Sequence, residues 1–272
     1  MKQFIQDSKK TITFLGIINE KGNAVPKATG FFVKIQEIFH LVTAKHVVED
    51  TETGNLMDEK LLAFFNKKEG GVTGVSIKEL KDKDETNWVF HNDERVDIAI
   101  IPFRLSKKTH DFLVIPDDSF LGIDSLSELY DIFFLSFQPG VEYGTKIIPI
   151  IRSGTISRIN EDKTLFVDAA AFPGNSGSPV FLKHSPIRFG EKGISIGKDP
   201  IGGKFIGVIG EYIPYKEVAI SVQTGLPRVI FEENTGLSKV WSVGYLKQII
   251  ESAEFVEQLD RIQAKPGIRE PN

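Results

Sequence analysis

The sequence predicts an all-β protein of two halves that ends in one helix. Three observations carry that prediction. Most apolar runs are about five to eight residues long, rich in Phe, Val and Ile, and punctuated by glycine. Between Arg104 and Asp131 the chain turns polar, with Pro116, Asp117, Asp118 and Gly122 close together. Only near the end, after Gly244, do apolar residues recur at helical spacing: Tyr245, Ile249, Ile250, Phe255, Val256 and Leu259.

The first half contains Thr11–Asn19, Gly30–Gln36, Phe39–Ala44, Leu61–Asn66, Val72–Leu80 and Asp97–Arg104 as strands. The second contains Asp131–Phe137, Thr145–Ser157, Leu165–Ala169, Ser178–Leu182, Phe205–Ile213, Val218–Val222 and Val240–Val243. Two glycine-bearing segments, Lys183–Lys204 and Gln223–Lys239, read as long loops. The division expected is residues 1–115, a linker at 116–130, residues 131–244, a helix at 245–263, and a frayed tail, Ala264–Asn272, with two prolines.

Composition narrows the function. The chain has 272 residues, 41% hydrophobic and 26% charged, the balance of an ordinary globular protein. Its 33 basic and 37 acidic residues give a formal charge of −4, and neither half is strongly basic, so no nucleic-acid partner is expected. No cysteine is present, which excludes disulfides, thiolate metal sites and a cysteine nucleophile. No apolar stretch approaches the roughly 18 residues of a membrane helix. The first residues lack a secretory pattern, and a cytoplasmic location without membrane attachment is expected.

Phe172-Pro173-Gly174-Asn175-Ser176-Gly177-Ser178-Pro179 carries the strongest chemical signal. Glycines on both sides of a serine let the backbone turn sharply and clear side chains from around the hydroxyl. Such a turn, Gly174-Asn175-Ser176, can aim the amides of Gly174 and Ser176 into one small space, an oxyanion hole. A serine is a weak nucleophile without a base, and the base needs an orienting acceptor. Of five histidines, His46 follows an apolar strand end in Leu41-Val42-Thr43-Ala44-Lys45-His46, which would hold its imidazole rigidly beside a cleft. His40, His91, His110 and His184 have the contexts of structural or surface residues. Asp97 opens the apolar run Val96-Asp97-Ile98-Ala99-Ile100-Ile101. A carboxylate there needs hydrogen bonds, and accepting from the imidazole would provide one.

These three patterns, in the order His46, Asp97, Ser176, resemble the trypsin-like serine proteases, and among them the bacterial high-temperature-requirement (Deg) proteases. Ala28-Thr29-Gly30-Phe31-Phe32-Val33, Ser153-Gly154-Thr155-Ile156-Ser157 and Ile206-Gly207-Val208 are weaker echoes of the same family. The resemblance implies two six-stranded antiparallel β-barrels with the catalytic residues in the cleft between them. It implies a serine endopeptidase acting on polypeptide, with His46, Asp97 and Ser176 catalytic and no metal or cofactor. It also puts Ala170 at the base of the primary pocket and Gly210 and Glu211 on its wall. Asn175 replaces the aspartate of the digestive enzymes, Ser178 replaces a second glycine, and the peptide-binding module of many Deg proteases is not expected after the helix. The alternative is a peptide-binding module on the same fold, either non-catalytic or activated by a protein partner that reorders Ala169–Asn175.

Overall fold

Strands that bury both faces are apolar throughout, and the run Gly30–Val33 shows why. In the computed structural model, which describes residues 2–264 except 23, 85, 142–144, 191–192 and 198, Phe31 and Val33 face one core while Phe32 faces another. The elements are α1 (Lys2–Lys9), β1 (Ile12–Ile18), β2 (Ala24–Ile35), β3 (Ile38–Thr43), α2 (Lys45–Val48), β4 (Leu62–Asn66), β5 (Val72–Ser76), α3 (Ile77–Asp84), β6 (Val89–Phe90), β7 (Ala99–Pro102) and β8 (Ile115–Pro116). Then follow β9 (Asp131–Ser136), β10 (Ile150–Ile159), β11 (Thr164–Asp168), β12 (Pro179–Leu182), β13 (Ile187–Gly190), β14 (Gly193–Ile196), β15 (Phe205–Ile220), β16 (Pro227–Ser242), α4 (Val243–Ile250) and α5 (Ala253–Ala264).

The protein is mostly β. Strands β10-β11-β16-β15-β12-β9 form a closed barrel, all pairs antiparallel. The first-half strands instead form an eight-stranded sheet, in the order β5-β4-β1-β2-β3-β7-β6 with β8 on β2. This corrects the expectation of two closed six-stranded barrels: the end strands β5 and β6 do not pair among the described residues, and β6 is only two residues long.

Several segments differ from the sequence reading for local reasons. Val72–Leu80 splits into strand and helix because Ser76 caps the helix, with the Glu79 amide donating to Ser76 Oγ at 3.4 Å. The terminal helix is two helices, restarted where the Phe255 amide donates to Ser252 Oγ at 3.3 Å. Lys2–Lys9 is helical and packs Phe4 edge-on against Phe133 and Phe181 of the barrel. Gln223–Lys239 is not a loop: most of it is β16, paired with a single long β15. Lys183–Lys204 contains the small β13–β14 hairpin. Residues 265–272, most of the tail expected to fray, lie outside the described residues.

The two halves share a core. Phe31 and Phe205 rings lie 5.2 Å apart, Phe14 and Phe137 5.5 Å apart, and Leu246, Ile249, Phe255 and Leu259 of the final helices complete the cluster. Truncating Phe31, which is wholly buried, would remove about 3–5 kcal/mol. That shared core fixes the positions of the loops lining the cleft between the halves. No helix among the described residues is long and apolar enough to cross a membrane.

Candidate active site

The β3–β7 register brings the first two candidate residues together. Thr43 pairs with Ala99, so His46, in the helical turn after β3, meets Asp97, just before β7. His46 Nδ1 lies 2.7 Å from Asp97 Oδ2, and the His46 amide donates to Asp97 Oδ1 at 2.9 Å. Asp97 thus holds both the ring and the backbone of His46, and the ring's Nε2 is left for another partner. Burial pulls the His46 pKa down. The hydrogen bond to Asp97, the Asp97 charge and the charge of Glu211 outweigh it, and the imidazole titrates above its ordinary 6.5. The ring remains 40% exposed, open to the cleft.

Ser176 lines the same cleft, about 650 Å³, from the other half of the molecule. Its Oγ makes no hydrogen bond among the described residues, so the hydroxyl is not committed elsewhere. The serine follows a tight turn. The Asn175 amide donates to Phe172 O at 2.9 Å, Pro173 occupies the second position and Gly174 the third with φ of 93°. Proline followed by a positive φ makes this a type II turn. The Asn175 side chain closes it a second time, accepting from the Phe172 amide at 2.9 Å and donating to Phe137 O at 3.0 Å. Asn175 is therefore the brace of the turn, with its own amide engaged. The amides of Gly174 and Ser176 donate to no acceptor among the described residues.

The first half anchors this turn through Thr29, a wholly buried residue of β2. Its amide donates to Ser176 O at 3.0 Å and its hydroxyl to Gly174 O at 2.8 Å, while that hydroxyl accepts from the Phe137 amide at 2.9 Å. Thr43 Oγ1 in turn donates to Thr29 O at 2.8 Å. Gly177 fits between these threonines: a Cβ there would lie 2.3 Å from Thr29 O and 2.4 Å from Thr43 Oγ1, and its φ is 80°. Sequence reasoning did not assign a role to Thr29 or Thr43. Thr29 lay inside a quoted motif, but a hydroxyl in an apolar strand carries no local sign of what it will bond.

The expected pocket residues divide. Gly210 and Glu211 line the cleft with Ile209 and Tyr212. Ala170 does not; its neighbours Ala171 and Phe172 do. Residues 169–171 are clamped to β16, since Ser238 Oγ donates to Ala169 O at 2.7 Å and accepts from the Ala171 amide at 3.1 Å. Trp241 and Lys239 also face the cleft, with Lys239 Nζ 4.0 Å from the Trp241 ring centre. Gly210 permits this packing, because a Cβ there would meet Trp241 Nε1 at 2.7 Å. Among the other histidines, His40 is buried beside Phe255, and burial, partly offset by its contact with Ile38 O, lowers its pKa to about 3. His184 lies 3.9 Å from Asp199 and edge-on to Phe4, in the barrel's outer loop. No cluster among the described residues is suited to a metal ion.

The family model for the trypsin-like peptidase domain matches residues 28–185, over half of the chain, a span that contains Thr29, His46, Asp97 and Ser176. No curated protein matches the chain.

Proposed function

Because the chain belongs to the trypsin-like peptidase domain family, we propose that it is a serine endopeptidase that cleaves polypeptides through an acyl-enzyme on Ser176. Within the family, the Gly174–Pro179 motif favours the Deg branch. The single observation that carries the reading is the cleft itself: an imidazole oriented by Asp97, an uncommitted serine hydroxyl, and two backbone amides without acceptors on one turn.

In this reaction Ser176 Oγ attacks the carbonyl carbon as His46 Nε2 takes the hydroxyl proton. Asp97 stays ionised and stabilises the imidazolium. The carbonyl oxygen becomes an oxyanion, bound by the Gly174 and Ser176 amides, an interaction typically worth about 10²–10³ in rate per donor. Collapse breaks the C–N bond, and His46 gives its proton to the departing amine. Water, deprotonated by His46, then attacks the ester carbonyl and frees Ser176. Ser176 and His46 line one cleft without a hydrogen bond between Oγ and Nε2 among the described residues, and such bonds commonly tighten only in the substrate complex.

A fluorophosphonate probe should label Ser176 of the parent protein and fail with Ser176→Ala, and only the parent should degrade denatured casein. Parent protein that neither reacts nor cleaves would replace this reading with that of a peptide-binding module.

A further inference from the structure

Beyond the barrel, β15 and β16 continue as a two-stranded arm. Each strand is 16 residues long, yet β16 pairs with β11 only from Leu237 to Trp241, and β15 pairs with β12 only up to Val208. Ile209 then bonds the nucleophile loop, its amide donating to Ser178 O at 2.9 Å and its carbonyl accepting from Gly177 at 2.8 Å. From Gly210 onward no strand among the described residues covers that edge of β15. The edge that begins beside Ser176 thus runs unpaired from the cleft to Ile220. Ile213 to Ile220 alone spans about 25 Å at roughly 3.4 Å per residue.

The arm is also apolar where it is exposed. Tyr215, Val218, Ile220, Val229, Ile230 and Phe231 all stand in solvent, Ile230 at 64% and Ile220 at 62%. Register places Val218 opposite Ile230 and Glu217 opposite Phe231, so apolar side chains project from both faces. An isolated ribbon of two strands is marginal in water, and an open strand edge flanked by apolar side chains is a template for another strand. The arm lies past the matched residues 28–185.

We propose that the arm is an extended docking site for the polypeptide substrate itself, taking an apolar-rich stretch of unfolded chain on the N-terminal side of the cut bond. This rests on the proposed endopeptidase function. Continuity selects the occupant, because a peptide leaving the cleft along β15 meets this edge next, just past the irregular register between Ile209 and Pro214. Every strand pair in the barrel is antiparallel. A substrate strand added antiparallel to β15 runs from Ile220 toward Ile209, which puts the arm upstream of the bond at Ser176. Main-chain pairing would supply affinity, and alternate apolar side chains would lie against Val218 and Ile230 or against Tyr215 and Phe231.

The test separates docking from catalysis. Ser176→Ala protein should bind fluorescently labelled denatured β-casein at least tenfold more tightly than the same protein with Val218→Lys and Ile230→Lys, about 1.4 kcal/mol. Equal affinities overturn the proposal whether or not the parent is a protease. In the parent, a casein cleavage site presented in peptides with about twelve rather than about four residues upstream should gain a similar factor in kcat/KM, mostly through KM. The lysine variants should erase that gain while leaving the short peptide's rate unchanged, which also shows that they fold. A gain from downstream residues, or one that survives the substitutions, overturns it. So does a change in oligomeric state on sedimentation with the length effect intact, which would make a second copy the occupant. Failure of all peptide cleavage and of Ser176 labelling would instead refute the endopeptidase reading and leave the binding comparison to judge the arm.

Discussion

Thr29→Val is the sharpest test of how the oxyanion turn is held. Valine matches threonine in shape but deletes the hydroxyl, which donates to Gly174 O and accepts from the Phe137 amide. Both groups would be left without that partner in a wholly buried setting. Each such group costs about 1–3 kcal/mol, and partial relaxation makes about 2–4 kcal/mol a reasonable total. For a chain of this size that is a fall in Tm on the order of 5–12 °C. The Gly174–Asn175 peptide also loses its anchor, so the free amide beside it can drift from the position an oxyanion requires. Losing one such donor typically costs about 10²–10³ in kcat, and a misaligned one roughly 10- to 100-fold. Thr29→Ser keeps the hydroxyl and loses a methyl, so it should lose about 1 kcal/mol of stability and little kcat. The assays are thermal unfolding and steady-state hydrolysis of a peptide. A Thr29→Val protein with kcat within about twofold of the parent would refute the reasoning, as would a Thr29→Ser protein as slow as Thr29→Val.

Three further outcomes follow from single sites. In the proposed mechanism the neutral His46 imidazole is the base, so kcat/KM should rise with pH through a pKa above 6.5; Glu211→Gln removes a charge that raises that pKa and should move the limb to lower pH, read from a profile between about pH 5 and 9. His40 titrates near 3 when folded and near 6.5 when unfolded, so the unfolded chain binds the extra proton in that window. Stability is therefore full above pH 6.5 and falls toward pH 3, by up to about 1.4 kcal/mol per pH unit; His40→Gln should flatten this acid slope in Tm measurements. Gly177→Ala forces a Cβ against Thr29 O and Thr43 Oγ1 at a positive φ, and should cost roughly 3 kcal/mol or more, seen as a large fall in Tm or loss of soluble protein.

The site residues that could be read from the sequence are those with chemistry written into their neighbours. Gly174 and Gly177 around Ser176, the strand end before His46 and the apolar run after Asp97 are local patterns. The register between β3 and β7 then brings His46 and Asp97 into contact. What escaped depends on distant partners. Val229, Ile230 and Phe231 sit between Pro227 and Glu232 and look like a short apolar break in a loop; they become a strand because Ala219, Val218 and Glu217 lie opposite. Lys2–Lys9 carries little apolar character, and its Phe4 gains a packing site only on the barrel formed more than a hundred residues later. The closure of a sheet is equally non-local. Both halves present similar apolar runs, but only the second has end strands long enough to pair with each other.

The turn at Gly174 also bears on whether a partner must switch the site on. The sequence alone allowed a turn Ala169–Asn175 waiting to be reordered. Turning over the Pro173–Gly174 peptide would convert the type II turn to type I, move Gly174 to negative φ and put the Pro173 carbonyl where the Gly174 amide now lies. That exchange would place an acceptor where an oxyanion needs a donor. Gly174 instead has φ of 93°, and its carbonyl is held by Thr29 while Asn175 grips Phe172 and Phe137. At this position a side chain would also collide with Pro139 Cδ at 2.6 Å and Phe137 O at 2.8 Å. The turn is thus held by contacts from both halves of the chain, an arrangement that favours a preformed site over one that a partner must reorder. Gly174→Ala should consequently suppress fluorophosphonate labelling at least about tenfold, because alanine disfavours this φ and cannot fill the space. Labelling at the parent's rate would show that the reactive turn is some other conformation.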